Sequence, residues 1–111
     1  MKALFKDVGR DSEVIEIDNT LEVLQDKVGG YIEVLACPVK GTNIICNEEG
    51  KLMGLPQNVP LYDRYMNVCD VLVGDILIVG NDGNGEFADL TGEQIEECLK
   101  VYKLGVYSTE R

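Results

Sequence analysis

The sequence predicts an α+β fold with a small mixed or antiparallel sheet and two packed helices, near residues 19–29 and 91–104. Three observations carry this. Two segments place apolar residues at helical spacing between capping and stopping signals. The rest of the chain breaks into short apolar runs of strand length, and those runs are parted by turn residues suited to hairpins. The 111 residues suit one domain, 1–111, and 45% of them are hydrophobic, enough to bury a modest core.

Taken in order, residues 2–8 and 13–17 read as strands joined by Gly9-Arg10-Asp11-Ser12, a natural hairpin loop. Asn19-Thr20-Leu21-Glu22 then resembles a capping box, with Asn19 as cap and Glu22 three residues on. Leu21, Leu24 and Val28 recur at helical spacing, and Gly29-Gly30 supplies the left-handed stop. Residues 31–37 read as a strand ending at Pro38, and residues 43–47 as another, turning at Glu48-Glu49-Gly50 into Lys51-Leu52-Met53.

Residues 54–60 are expected to be irregular, because Pro56 and Pro60 remove donors and restrict their neighbours. A short helix is expected over residues 61–66. Two strand-like runs follow, 71–73 and 76–79, parted by Gly74-Asp75; their continuous apolarity points to a central strand covered on both faces. The last helix is the best marked. Thr91 caps it, Gln94 takes the box position, Leu90 can staple to Ile95, and Ile95, Cys98, Leu99 and Tyr102 form the buried stripe up to Gly105. The expected core is Leu4, Val14, Ile17, Leu21, Leu24, Ile32, Val34, Ile44, Leu77, Val79, Ile95 and Leu99.

Charge and composition narrow the function. Acidic residues outnumber basic ones 20 to 10, and the pI is near 4.3. Such a surface repels nucleic-acid phosphates and anionic membranes, so neither direct nucleic-acid binding nor membrane association is expected. The chain has no His, which removes the usual Ser-His and Cys-His nucleophile pairs. Residues 1–7 show no apolar signal-peptide core, and the most apolar stretch, 71–80, is broken by Asp75. Cys37, Cys46, Cys69 and Cys98 contain no C-x-x-C pair and read as reduced thiols. A cytoplasmic location is expected.

Few motifs carry chemistry. Asp82, Asn84, Glu86 and Glu93 fall at calcium-loop positions, but Phe87 stands where that loop needs glycine and a strand precedes it. A hairpin turn is the better reading, since Asp-Gly and Asn-Gly pairs tolerate positive φ. The glycines at 80, 83 and 85 lack the spacing of a phosphate loop. Among twenty acids, a chance carboxylate pair carries little meaning. Cys46 and Cys69 would be nucleophiles only if a Lys or a helix terminus lowered their pKa. No cofactor or metal is expected.

Residues 54–69 are the expected functional surface, with Asn58, Tyr62, Arg64 and Tyr65 as ligand- or partner-binding residues. Tyr62 and Tyr65 are spaced i, i+3 beside Arg64, in a proline-bounded segment between core elements. The alternative is that the tyrosines pack over a sheet edge.

Ordered blocks add a resemblance. Met1-Lys2-Ala3-Leu4, Val14-Ile15-Glu16-Ile17-Asp18-Asn19-Thr20-Leu21 and Val28-Gly29-Gly30-Tyr31-Ile32-Glu33 are followed by Ile45-Cys46-Asn47-Glu48-Glu49-Gly50-Lys51-Leu52, Gly54-Leu55-Pro56 and Asn58. Gly74-Asp75, Val79-Gly80, Asp82-Gly83 and Leu90-Thr91-x-Glu93-Gln94-Ile95 complete the series. This succession resembles a family of small domains of unknown function carried by phages and conjugative elements, mainly of Firmicutes, over residues 1 to about 100. Between Asn58 and Gly74 this chain has a longer stretch than that family, holding Tyr62, Tyr65 and Cys69.

The resemblance brings no catalytic residues. It implies an accessory role, and the expectation is a non-enzymatic binding protein that modulates or inhibits a host factor, of the anti-defence type. Its partner would be a host or phage protein. The alternative is a small-molecule binder that sequesters a nucleotide signal. A broad acidic face would favour imitation of nucleic acid, whereas a local pocket holding Lys or Arg with a tyrosine would favour a ligand. A homodimer is also expected, since exposed tyrosines and a sheet edge are readily covered that way.

Overall fold

The computed structural model describes residues 1–102. Eight strands and two helices succeed one another in it: β1 (Lys2–Lys6), β2 (Glu13–Glu16), α1 (Leu21–Val28), β3 (Ile32–Ala36), β4 (Thr42–Asn47), β5 (Gln57–Tyr62), β6 (Val68–Val73), β7 (Ile76–Asn81), β8 (Phe87–Ala88) and α2 (Gly92–Tyr102). The main sheet runs in the order β2-β1-β7-β4-β3, with β8 also paired to β7. Every pairing is antiparallel. β5 and β6 form a separate two-stranded ribbon. The α+β expectation therefore holds, with an antiparallel sheet.

Alternation along the strands divides the core into two layers. On one face, Ala3, Ile45, Leu77 and Val79 pack with Leu24 and Val28 of α1. On the other, Leu4, Ile44, Cys46, Ile76 and Ile78 pack with Cys98 and Tyr102 of α2 and with Val59 and Leu72 of the ribbon. β7 is thus covered on both sides, as its unbroken apolar sequence implies.

α2 opens on a reciprocal capping box. The Gln94 amide donates to Thr91 Oγ1 at 3.1 Å and the Thr91 amide donates to Gln94 Oε1 at 3.0 Å. α1 starts one residue later than its sequence suggests. Thr20, not Asn19, is the cap and accepts from the Val23 amide at 3.3 Å, while the Asn19 side chain donates to the Phe87 carbonyl. Gly29 ends α1 at φ 80°, the left-handed stop expected of it. Asn47, buried at the end of β4, donates to the Val28 carbonyl at 3.1 Å and accepts from the Glu49 amide at 2.8 Å. It thereby ties α1 to the sheet.

Three expected core residues lie outside. Val14, Leu21 and Val34 are 50%, 58% and 44% exposed. Val14 and Val34 lie on β2 and β3, the two edge strands. Leu21 is the first residue of α1, with Leu24 and Val28 turned inward behind it. Ile17, Ile32, Ile95 and Leu99 are half-buried at the margins of the two layers. Leu99→Ala is therefore expected to lose about 2 kcal/mol in urea melts, the low end for such truncations. A loss above about 4 kcal/mol would place Leu99 at the centre of its layer.

The largest correction concerns residues 54–69. Residues 54–56 are irregular as expected, but β5 starts at Gln57 and runs through Pro60, which pairs with Val71 of β6, and no helix forms over 61–66. Proline is tolerated because each strand of a two-stranded ribbon has a free side, where a missing N–H breaks no ladder bond. The ladder shifts register between Gln57 and Val59 and again between Leu61 and Tyr62. Residues 63–67 form a tight loop closed on Asp63. Its carboxylate accepts from the Tyr65 and Asn67 amides at 2.8 and 3.0 Å. Lys51, Leu52 and Met53 belong to a turn and not to a strand.

Candidate functional site

The four residues singled out in the sequence separate along the ribbon. Asn58 sits at its root, bridging it to the main sheet. Its Nδ2 donates to the Lys6 carbonyl at 2.9 Å and the Gly74 carbonyl at 2.8 Å, and its Oδ1 accepts from Lys6 Nζ at 3.0 Å. Tyr62, at the far end of β5, turns inward, and its ring lies 5.7 Å from that of Tyr102 at a 39° tilt. Arg64 and Tyr65 stand together at the exposed tip. The Arg64 guanidinium lies 5.0 Å from the centre of the Tyr65 ring and donates to its hydroxyl at 3.0 Å.

Met66 completes the tip. It is the one non-glycine residue with positive φ among those described, at 63°, and its side chain is 48% exposed. That backbone is strained for any residue with a Cβ. Met66→Gly is expected to raise stability by about 0.5 kcal/mol, and Met66→Val to lower it by about 1 kcal/mol. Thermal melts decide. A loss with glycine would mean that the methionine side chain holds the tip by packing.

Beside the tip lies a cleft of about 320 Å³ lined by Ala36, Cys37, Pro38, Tyr62, Asp63, Arg64 and Met66. Tyr62 and Arg64 therefore share one wall system, while Asn58 and Tyr65 lie outside it. Cys37 forms the floor next to Tyr62. Its Sγ is 3.6 Å from the Tyr102 hydroxyl. The surrounding Cys98, Thr42, Val39 and Tyr102 groups hold the Cys37 thiol below its usual pKa, against the opposing effect of burial. Cys98 is held well above the ordinary thiol value, first by the neighbouring Cys37 group and then by burial. The Tyr102 hydroxyl is likewise pushed up, chiefly by burial.

Sequence reasoning missed Cys37 and Met66. Cys98 and Tyr102 are one helical turn apart, which puts both on the inner face of α2, but nothing local pairs either with Cys37. Cys46, which would be a nucleophile only if its pKa were lowered, is shifted the other way. Burial and the neighbouring Glu33 carboxylate push its thiol up to about 11, outweighing the opposite pull of Lys51. Cys69 is exposed, and its Sγ lies 3.4 Å from the Leu61 carbonyl oxygen.

The glycine-rich segment after β7 forms the expected turn. Asp82 Oδ1 accepts from the Asn84 and Glu86 amides at 2.7 and 3.2 Å, and Gly83 and Gly85 take φ values of 82° and 91°. No helix among the described residues is long and apolar enough to cross a membrane.

Fold and site together define a small α+β domain with a two-stranded ribbon, packed on its main sheet, that ends in an exposed Arg-Tyr-Met tip. A family described as a domain of unknown function, DUF3846, matches residues 1–103, and the chain belongs to that family. No curated protein and no solved structure matches it.

Proposed function

We propose that this chain is a non-enzymatic binding protein, carried by phages and other mobile elements, that acts in the host cytoplasm by modulating or inhibiting a host factor. The observation that carries the reading is the ribbon tip. Arg64, Tyr65 and Met66 are all exposed, the first two are stacked on each other, and the loop beneath them is fixed by Asp63. Rigid aromatic and Arg anchors on a braced loop are the residue types that carry most interface energy.

The paired change Arg64→Ala with Tyr65→Ala tests it. Because both side chains are exposed, the melting free energy should stay within about 0.5 kcal/mol. Pull-down of a host protein and phage fitness should both be lost. Retained fitness and retained capture with an intact fold would reject the tip as the contact surface. Native mass spectrometry of protein from infected cells reads the partner and any homodimer together; the outer side of β3, beside exposed Tyr31 and Val34, is the edge a second copy would cover.

One observation favours a second reading, the sequestering of a nucleotide signal. The cleft holds Arg64 with Tyr62, a cation beside a ring. Its volume is at the small end for ligand sites, and Asp63 opposes an anion there. A nucleotide-dependent rise in melting temperature that Arg64→Ala removes would favour this reading over protein binding.

A further inference from the structure

We propose that Asn84 is a site of spontaneous covalent modification, at which the Gly85 amide closes a succinimide on the Asn84 side chain and water opens it to isoaspartate. Asparagine is among the chemically labile side chains. The ring needs a small following residue, an amide nitrogen not held elsewhere and a carboxamide able to turn. Of the chain's asparagines, Asn84 alone precedes a glycine, which has no Cβ to crowd the attacking nitrogen. Asn84 is exposed in the turn between β7 and β8. A Cβ built on Gly85 would meet nothing within 4 Å, so the space around it is open.

The same turn offers a second candidate for such a ring, Asp82 before Gly83, and hydrogen bonding separates the two. The Gly83 amide donates to Asn81 Oδ1 at 3.2 Å. Asp82 Oδ1 accepts from the Asn84 and Glu86 amides at 2.7 and 3.2 Å. Nitrogen and carboxylate are both occupied there, so Asp82 is protected. Asn81 is fixed as well, since its Nδ2 donates to Asn43 Oδ1 at 2.9 Å. Among the described residues, neither the Asn84 carboxamide nor the Gly85 amide has a hydrogen-bond partner. The turn thus braces every reactive group in it except that one pair.

The chemistry balances with water as the only co-reactant. Hydroxide takes the Gly85 amide proton and the nitrogen attacks Asn84 Cγ. The ring C–N bond forms, the carboxamide C–N bond breaks, and ammonia leaves with a proton returned by water. One water then opens the succinimide. Cleavage between the ring nitrogen and the backbone carbonyl carbon routes the chain through Cγ, as isoaspartate; cleavage at Cγ gives aspartate. Nothing is oxidised or reduced. Either product puts a second carboxylate beside Asp82, one charge beyond the present −10. Isoaspartate also adds a backbone atom between the two amides that Asp82 holds, which works against both bonds.

The test incubates the full chain in neutral buffer, folded and, in parallel, unfolded in guanidinium, which sets the clock. One tryptic peptide, residues 65–100, carries the whole turn. Over the time in which the unfolded chain converts, mass spectrometry of the folded chain should show the amide-to-acid change at Asn84. Asn67 and Asn81, in the same peptide, should keep their amides. Asp82 should become isoaspartate only in the unfolded chain. An isoaspartyl methyltransferase with a labelled methyl donor should label the aged folded protein, and Asn84→Gln should abolish that label. An Asn84 amide that survives folding while the unfolded chain loses it would overturn the proposal, as would labelling that persists in Asn84→Gln.

Discussion

Replacing Gly80 by alanine is expected to lower the unfolding free energy by about 3 kcal/mol, the upper end for overpacking a buried site. A Cβ at Gly80 would lie 2.6 Å from the Asp89 carbonyl oxygen and 3.0 Å from that of Ala88. Both obstacles are backbone, so no side chain can swing aside. Nor can the segment retreat freely. The Asp89 carboxylate accepts from the Lys2 amide at 2.7 Å and the Leu90 amide donates to the Lys2 carbonyl at 3.0 Å, pinning residues 89–90 to β1. Leu90, buried next to α2, anchors it from the other side. Urea unfolding measures the change. A loss below about 1 kcal/mol would show that β8 lifts away at little cost and that its pairing with β7 contributes little.

The second large effect is expected at Asn58, where truncation to alanine should remove about 2–3 kcal/mol. One amide group serves two carbonyls from distant parts of the chain, Lys6 at the end of β1 and Gly74 between β6 and β7. Removing it leaves both acceptors without that donor in a half-buried crevice, and each such group loses about 1 kcal/mol or more. Asn58→Asp should do as much damage, since a carboxylate cannot donate to a carbonyl. Chemical denaturation of both variants, beside a partner-binding assay, separates the roles. If Asn58→Ala kept full stability but lost binding, Asn58 would belong to the contact surface and not to the joint between ribbon and sheet.

Local chemistry was legible and distant pairing was not. Thr91 and Gln94 are three residues apart, and their box forms as the sequence implies. The same holds for Gly29 as a helix stop and for the run 76–79 as a doubly covered strand. Asn19 and Thr20 are both good caps, so a one-residue slip between them lies within what sequence can resolve. Val14 and Val34 alternate correctly for inward positions, but alternation says nothing of whether a strand lies at the centre or edge of its sheet. Pro60 misled because a proline breaks an interior strand and spares a free-sided one. Tyr62 and Tyr65 looked alike at i, i+3 only while the segment was taken as helical. A strand followed by a tight loop sends one inward to Tyr102 and the other to solvent. The Cys37–Tyr102 contact joins positions 65 residues apart, which no local pattern encodes.

The neighbours of β7 also set an order of events during synthesis. Leu4 pairs with Ile78 and Ile44 pairs with the same residue from the other side. On a ribosome the β1–β2 and β3–β4 hairpins emerge early, but the strand that must lie between them is made after the whole ribbon. Until then Ile44 and Ile45 sit on an open inner edge of β4, a row of unpaired amides flanked by apolar side chains. Such long-range closure is slow, and a nascent chain in that state is exposed to wrong partners. The hydrophobic strand that secures the finished domain is thus the piece its half-built sheet lacks until residues 76–81 are made.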